Sequence, residues 1–313
     1  MRVYNGIEEF KKIGYPVVTA GIFDGVHLGH QKIIRELSAL ARSKSGETVI
    51  LTFWPHPKFV LNPGSPLKLL TTFQEKAALL EALGVDHLIR IPFTKQFSQI
   101  TSEQFLQQIL LEKLGTRQLV IGYDHRFGRN REGSFEYLKQ NANKYGFEVV
   151  EIPRKDIDQI AVSSTKIRQY ITEDLIDEAN KLLGRYYQFS GKVITGQQLG
   201  RIIGFPTANI EIAEDYKLIP SDGAYAVMIT INGQVYHGMM NIGFKPTVGS
   251  SKRSIEIHVF DFEQNIYGQE VMVQVVKQIR PEVKFKNTDE LSTRLKQDDK
   301  EARAILRQHT LDN

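Results

Sequence analysis

The sequence predicts a doubly wound α/β domain over residues 1–184, followed by an antiparallel β-barrel with a C-terminal helix over residues 185–313. Three observations lead there. Short apolar runs alternate with helical periodicity in the first half, the pattern of a parallel sheet covered on both faces. Short strands separated by Gly, Asn and Pro turns fill most of the second half. A chain of 313 residues is also long for a single core.

Each element follows from its local pattern. Val17 to Phe23 is an apolar, β-rich run that ends in a glycine-punctuated turn. Ile33, Ile34, Leu37, Leu40 and Ala41 then fall on one helical face. Thr48 to Phe53 reads as a buried strand stopped by Pro55 and Pro57, and Phe73 to Leu83 as a helix stopped by Gly84. A strand is expected at His87 to Ile91. Thr101 and Gln104 have capping-box spacing and open a helix that Gly115 ends. Gln118 to Gly122, Phe135 to Tyr145 and Phe147 to Ile152 give strand, helix and strand, and Leu175 to Leu183 a helical linker. Beyond Gly184 the strands are Ala224 to Ile231, Gln234 to Met240, Ser254 to Asp261 and Glu270 to Val276. Asn232-Gly233 between the first two is a strong hairpin signal. Thr288 to Gln308 is a helix with Leu291, Leu295, Ala302 and Leu306 on its apolar side.

Composition narrows the function classes. Hydrophobic residues make up 41% and charged residues 24%, as in ordinary globular proteins. There is no cysteine, which excludes disulfides, thiolate metal sites and cysteine nucleophiles. Met1 to Phe10 lacks the layout of a signal peptide, and no apolar run is long enough to span a bilayer. A cytoplasmic protein without membrane partners is therefore expected. The net charge of +4 is scattered, unlike the concentrated basic face of a nucleic-acid binder, and suits polyanionic small-molecule substrates. The oligomeric state is not legible in the sequence.

The densest motif is Gly21-Ile22-Phe23-Asp24-Gly25-Val26-His27-Leu28-Gly29-His30, placed where the first strand passes into the first helix. Glycines there allow close backbone approach, and the helix N-terminus offers free N–H groups and positive dipole to an anion. His27 and His30 straddle Gly29, so both imidazoles can address one phosphate; taken alone, such a pair can equally be structural. Ser163-Ser164-Thr165-Lys166-Ile167-Arg168 opens a later helix, either as plain caps or as an anion clamp. Two further loops lie at strand ends: Phe53-Trp54-Pro55-His56-Pro57 and Gly122-Tyr123-Asp124-His125-Arg126-Phe127-Gly128. Their aromatics fit a core as well as a pocket lining.

In the second half, Gly196 to Gly200 leads into Arg201-Ile202-Ile203-Gly204-Phe205-Pro206-Thr207-Ala208-Asn209. If the segment is extended, Thr207 and Asn209 share one side, and both offer hard oxygen ligands suited to Mg²⁺. They also suit an ordinary turn. On Ser254 to Phe260, Glu256 alternates with Ile255 and Ile257; a strand glutamate usually faces solvent.

Taken in order, the segments from about Val17 to Arg168 resemble the adenylyltransferase half of the bacterial bifunctional riboflavin kinase/FAD synthetase family, a Rossmann-like H-x-G-H nucleotidyltransferase. The Gly204 to Asn209 run, Pro220 to Ala226, Asn241 to Thr247, the Glu256 strand and Ile279-Arg280-Pro281 resemble its riboflavin kinase domain. The resemblance implies ATP-dependent phosphorylation of riboflavin to FMN, then adenylylation of FMN to FAD with release of pyrophosphate. It implies ATP binding at Gly21, Phe23, Asp24, Gly25, His27, Gly29, His30, Asp124, Ser164, Thr165 and Arg168, with His27 and His30 on the phosphates. Flavin in that half would meet His56, Pro57, Asp124, Arg126 and Phe127. In the kinase half, Gly196, Gly200, Arg201, Gly204, Pro206, Thr207 and Asn209 would bind ATP, Thr207 and Asn209 would hold Mg²⁺, and Glu256 would be the base. Ile22 stands where many members carry asparagine, and His125 where phenylalanine is common.

Three other readings are weighed against this one, and the serious one is partial activity, with one half active and the other kept for structure. An H-x-G-H aminoacyl-tRNA synthetase would need an anticodon-binding domain for which the chain has no room. A non-catalytic flavin-binding regulator would be expected to have lost Glu256 or the histidines.

Overall fold

The computed structural model describes residues 1–122, 126–152, 162–196, 200, 204–247 and 250–310. The chain divides into two compact units, Met1–Ser164 and Thr165–Asn313.

The first unit is a six-stranded parallel sheet built from β1 (Arg2–Tyr4), β2 (Pro16–Ala20), β3 (Glu47–Trp54), β4 (His87–Pro92), β5 (Gln118–Gly122) and β6 (Glu148–Ile152). Their order is β1-β4-β3-β2-β5-β6. Successive strand residues feed opposite cores. Val18, Leu51, Ile89 and Ile121 join one, and Val17, Ile50, Leu88 and Val120 join the other. Both faces are therefore covered, and each aliphatic side chain so buried contributes roughly 1.5–3 kcal/mol. Helices α1 (Leu28–Ser43) and α3 (Phe73–Ala82) supply Ile34, Leu37 and Leu80 to the second core. A short α2 (Pro57–Leu61) follows β3, and α5 (Phe135–Tyr145) precedes β6.

Two expectations in this unit are corrected. Strand β2 ends at Ala20 rather than Phe23, because Phe23, Gly25 and Val26 take positive φ (51°, 80° and 38°) and turn the chain out of the sheet. The Thr101–Gln104 capping box forms as expected and opens α4 (Ser102–Gln104), but the helix continues as a π-helix over Phe105–Lys113. Apolar spacing does not distinguish that wider winding from an α-helix, and π segments frequently accompany functional sites.

Helix α6 (Ser164–Thr172) starts at the last residue of the first unit; the second unit takes in the rest of it and α7 (Ile176–Leu183) and then closes a barrel. Its strands are β7 (Tyr187–Ile194), β8 (Ala208–Glu211), β9 (Gly223–Ile231), β10 (Gln234–Thr247), β11 (Ser250–Val259) and β12 (Glu270–Pro281). The closed order is β10-β11-β8-β7-β12-β9, with antiparallel pairing throughout. Asn180 staples α7 to the barrel: its amide donates to the Val275 and Val276 carbonyls (3.0 and 3.1 Å) and accepts from the Tyr187 N–H (2.6 Å). Asn232 and Gly233 both adopt positive φ (49° and 79°), the backbone that a two-residue hairpin requires.

Here too the sequence reading needs correction. Strand β10 runs to Thr247 instead of stopping at Met240, β11 begins at Ser250 instead of Ser254, and β12 extends to Pro281 instead of Val276. Asn241, Gly243 and Pro246 signal turns locally, but the barrel ladder holds them extended. The C-terminal α8 (Thr288–Thr310) packs Leu295, Ala302 and Leu306 against Ala226, Met239 and Val276.

Candidate functional site

In the first unit the chain moves from β2 through β3 to β4 on one side, then returns to place β5 on the other flank of β2. The carboxyl ends of β2 and β5 therefore form a topological switch point, where open α/β sheets bind ligands. The Gly21 to His30 turn sits there. His27 caps α1, its Nδ1 accepting the His30 N–H (3.4 Å), and the two imidazoles stack with centroids 3.6 Å apart and planes 16° from parallel. Gly29 makes this possible: a Cβ there would lie 3.3 Å from the His27 ring and 3.0 Å from Val162 Cγ1. The Phe23 ring, itself buried, supports His30 from 5.1 Å. The result is two adjacent imidazole edges at the N-terminus of a 16-residue helix, a pre-formed place for a polyanion.

The turn is held from several directions. Asp24 is buried, and its carboxylate accepts from the Leu70 N–H (3.1 Å), the Thr71 N–H (3.1 Å) and the Thr71 hydroxyl (3.2 Å). The Ser164 hydroxyl donates to the Asp24 carbonyl (3.0 Å), bringing Ser164 to the histidine turn. Beneath it lies Lys76, whose ammonium donates to the Ile22 carbonyl (2.8 Å) and to Thr52 Oγ1 (3.3 Å). Burial pulls the Lys76 pKa down to about 8, with the Asp24 carboxylate opposing. The side chains of Phe23 and Asp24 thus serve the interior. Thr165 and Arg168 lie on the opening turns of α6, in the second unit.

Next to the histidine turn opens a cavity of about 650 Å³, lined from the ends of β2, β3 and β4 and from residues 126–130. Phe53, Phe93, Phe97, Phe105 and Phe127 form its aromatic wall, with neighbouring ring centroids 5.4–6.5 Å apart. Pro57 and Arg126 reach it, whereas His56 caps α2 by accepting the Lys58 N–H (3.1 Å). Sequence reasoning missed Phe93, Phe97 and Phe105, which lie in segments without a glycine-marked turn and read locally as core aromatics. Asp124 and His125 lie outside the described residues.

The second unit brings Thr207, Asn209 and Glu256 together. Thr207 Oγ1 donates to Glu256 Oε2 (3.1 Å), and the ladder sets Asn209 and Asn241 opposite Glu256 on its two sides. His258 Nδ1 donates to the Pro206 carbonyl (2.8 Å), fixing the approach to Thr207. Gly196 packs against the Asn209 side chain, and Gly200 accepts the Phe205 N–H (2.8 Å). Gly204 takes φ 85°, and Arg201 lies outside the described residues.

Thr207 borders two cavities. One, of about 560 Å³, runs from Pro206 to Ile266 and Tyr267. The other, of about 260 Å³, lies between the barrel and α8, with Phe205, Met239, Phe285, Leu291 and Leu295 on its walls and Asn241, Glu256 and Glu282 at its polar end. Burial pushes the Glu282 carboxyl up, and Arg280 works against that shift. The buried Asp298 carboxylate holds Arg280 (2.8 Å) and Arg294 (2.8 Å), fastening α8 beside this cavity. Asn241 opens a segment that carries the resemblance but is given no role in the sequence, because the turn-like residues around it hide the continuing strand, and Glu282 is not singled out.

Among the described residues, no three His, Asp or Glu gather as a metal site, and no helix is long and apolar enough to cross a membrane. The FAD synthetase family model matches residues 11–166, and the riboflavin kinase model matches residues 183–306. A bifunctional riboflavin kinase/FMN adenylyltransferase of Listeria monocytogenes is 40% identical over 93% of this chain and 92% of its own length. One from Buchnera aphidicola (subsp. Schizaphis graminum) is 38% identical, over 95% and 96%. Among solved structures, a protein of Streptococcus pneumoniae named a macrolide-efflux protein superposes with a TM-score of 0.84 at 32% identity, covering 96% of this chain and 98% of that one.

Proposed function

The chain belongs to the bifunctional riboflavin kinase/FMN adenylyltransferase family, phosphorylating riboflavin to FMN and adenylylating FMN to FAD, and from that premise we propose which residues carry each step and place the functional boundary at 184/185.

The kinase step belongs to the Thr207–Asn209–Glu256 cluster. The observation that carries this assignment is the position of Thr207 and Glu256 beside one another, with Thr207 bordering both barrel cavities. The cavity toward Tyr267 takes ATP, and the apolar cavity under α8 takes the isoalloxazine ring, so the ribityl chain ends near Glu256. The 5′-hydroxyl oxygen attacks the γ-phosphorus, the bond to the bridging β–γ oxygen breaks, ADP leaves, and Glu256 accepts the hydroxyl proton. Thr207 donates its proton to Glu256, which leaves its oxygen lone pairs directed elsewhere, and Asn209 adds an amide oxygen. This hard-oxygen set fits Mg²⁺ shared with the ATP phosphates. The cation, when bound, neutralises phosphate charge.

The adenylyl step belongs to the first unit. FMN lies in the phenylalanine-walled cavity, with Pro57, Arg126 and Phe127 among its contacts. Its phosphate oxygen attacks the α-phosphorus of ATP, the α–β bridging bond breaks, and pyrophosphate leaves. His27 and His30 donate to the departing phosphates, stabilising charge as it develops. The Gly29 N–H, on the open first turn of α1, adds a backbone donor beside Ser164, whereas the Gly21 and Gly25 N–H groups are given to the Leu51 carbonyl and Thr71 Oγ1 and hold the turn itself.

The test is a time course of purified protein with riboflavin, ATP and Mg²⁺, resolved by chromatography. FMN appearing before FAD is the expected result. FMN alone would remove the assignment of the first unit's site, and FAD formed only from added FMN would remove that of the second.

A further inference from the structure

We propose that Lys76, as an ammonium beneath the histidine turn, is a positioning residue for FMN adenylylation; this rests on the assignment of that turn to the adenylyl site. Ile22 is the last residue before a run in which Phe23, Gly25 and Val26 all take positive φ. Phe23 and the β-branched Val26 pay a steric cost there, and such a backbone persists only where its surroundings over-determine it. Two donors converge on the Ile22 carbonyl at the start of the run: Lys76 Nζ at 2.8 Å and Thr52 Oγ1 at 3.2 Å. Lys76 also donates to Thr52 (3.3 Å), so β3, α3 and the turn are closed into one bonded triangle.

Held in this way, the Ile22 carbonyl keeps its negative end directed at the ammonium and away from an arriving polyphosphate. The next residues then leave the sheet on the path that ends with His27 capping α1. Lys76 therefore acts through the backbone, without touching ATP. The charged group acting on it is Asp24, whose carboxylate is itself spent on Leu70 and Thr71. On the same helix, Glu75 turns back to the Thr72 N–H (2.9 Å). Arg90, on β4, lies over the Phe73 ring (4.6 Å). Burial places the loss of the ammonium near pH 8, so the positioning fails within an accessible range.

The experiment measures kcat and KM for FMN adenylylation by the full-length chain with Mg²⁺ and ATP, from about pH 6 to about pH 10. The wild-type rate is expected to fall through an alkaline limb near pH 8. Lys76→Met is expected to lower kcat on the order of ten- to a hundredfold, with KM for FMN and the riboflavin phosphorylation rate of the same preparation unchanged. Lys76→Arg, whose guanidinium stays charged, is expected to keep activity and lose the limb. Wild-type kcat in Lys76→Met, or an unaltered limb in Lys76→Arg, would overturn the proposal. If neither variant folds, a wild-type profile flat to pH 10 still overturns it. His27→Ala separates the two levels: FAD formation surviving that change removes the site assignment itself, whereas its loss alongside a fully active Lys76→Met removes the positioning role alone.

Discussion

Thr207 Oγ1 donates to Glu256 Oε2 across 3.1 Å, and the β8–β11 ladder sets Asn209 directly opposite the same glutamate. The Glu256 carboxylate and the Asn209 amide are thereby fixed on neighbouring strands of a closed barrel, with Thr207 one residue ahead of β8, which leaves them little freedom to drift. Glu256→Gln keeps the shape and removes the proton acceptor. It is expected to lower riboflavin phosphorylation by about a hundredfold or more and to leave adenylylation of added FMN intact. Parallel rate assays on one preparation decide the matter, and equal loss of both activities would contradict separate sites.

The stacked His27–His30 pair makes the reciprocal prediction. His27→Ala removes one imidazole and the α1 cap together. FAD formation should fall by roughly 10²–10³-fold, the usual effect of removing one donor to developing charge. FMN production should continue, so riboflavin incubated with ATP would stop at FMN.

Much of this arrangement was legible in the sequence, for definite reasons. Thr101 and Gln104 form the capping box that starts α4, Asn232-Gly233 makes its hairpin, and the strand–turn–helix at Gly21 to His30 carries its histidines where the sheet topology opens. Local chemistry decides those features. Other features depend on partners distant in the chain. Asn241 looks like a turn residue until β9 and β11 pair on either side of it. Phe93, Phe97 and Phe105 look like core residues, yet converge on a cavity because three strand ends meet there. Lys76 has the most ordinary setting in the sequence, a lysine in a Glu-Lys helix, and nothing local announces that it is only 4% exposed beneath the histidine turn.

The phenylalanine-walled cavity supports a prediction about affinity. Phe97 contacts the rings of Phe53, Phe93 and Phe105, with centroids at 5.8, 5.7 and 6.5 Å. Phe97→Ala removes one wall and loosens the three rings that it contacts. The KM for FMN in adenylylation is expected to rise about tenfold, the scale of one aromatic contact, while kcat for riboflavin phosphorylation stays as it was. Fluorescence titration with FMN in the absence of ATP gives an independent measure, and an unchanged affinity would place the flavin elsewhere.

Gly196, itself among the residues expected to meet ATP, tests the metal-binding side of the kinase site without altering the Thr207 or Asn209 side chain. A Cβ at this position would run into the Asn209 amide. Gly196→Ala should displace that side chain and raise the Mg²⁺ concentration needed for half-maximal riboflavin phosphorylation, on the order of tenfold. A second prediction from the same contact is that excess Mg²⁺ restores part of the rate. A lowered rate indifferent to Mg²⁺ would assign Asn209 a purely structural role.

Lys76 also carries a signature in stability. Its folded pKa of about 8 lies below the ordinary value of 10.5. Between those two values the unfolded chain binds the proton that the folded chain has released, so stability rises with pH across the interval. Below pH 8 both states hold the proton, and the full cost of the buried ammonium is present; above about 10.5 neither holds it and the slope vanishes. Relative to Lys76→Met, the wild-type first unit should therefore gain stability between pH 8 and pH 10, on the order of 1 kcal/mol per pH unit at most. Denaturant unfolding of both proteins at several pH values isolates the difference, because all other titrating groups are shared. Parallel curves would show that the lysine is hydrated in solution. A converging gap, found together with reduced adenylylation in the variant, would show a group whose active, charged form is also its destabilising one, as expected where a site is held in a strained geometry.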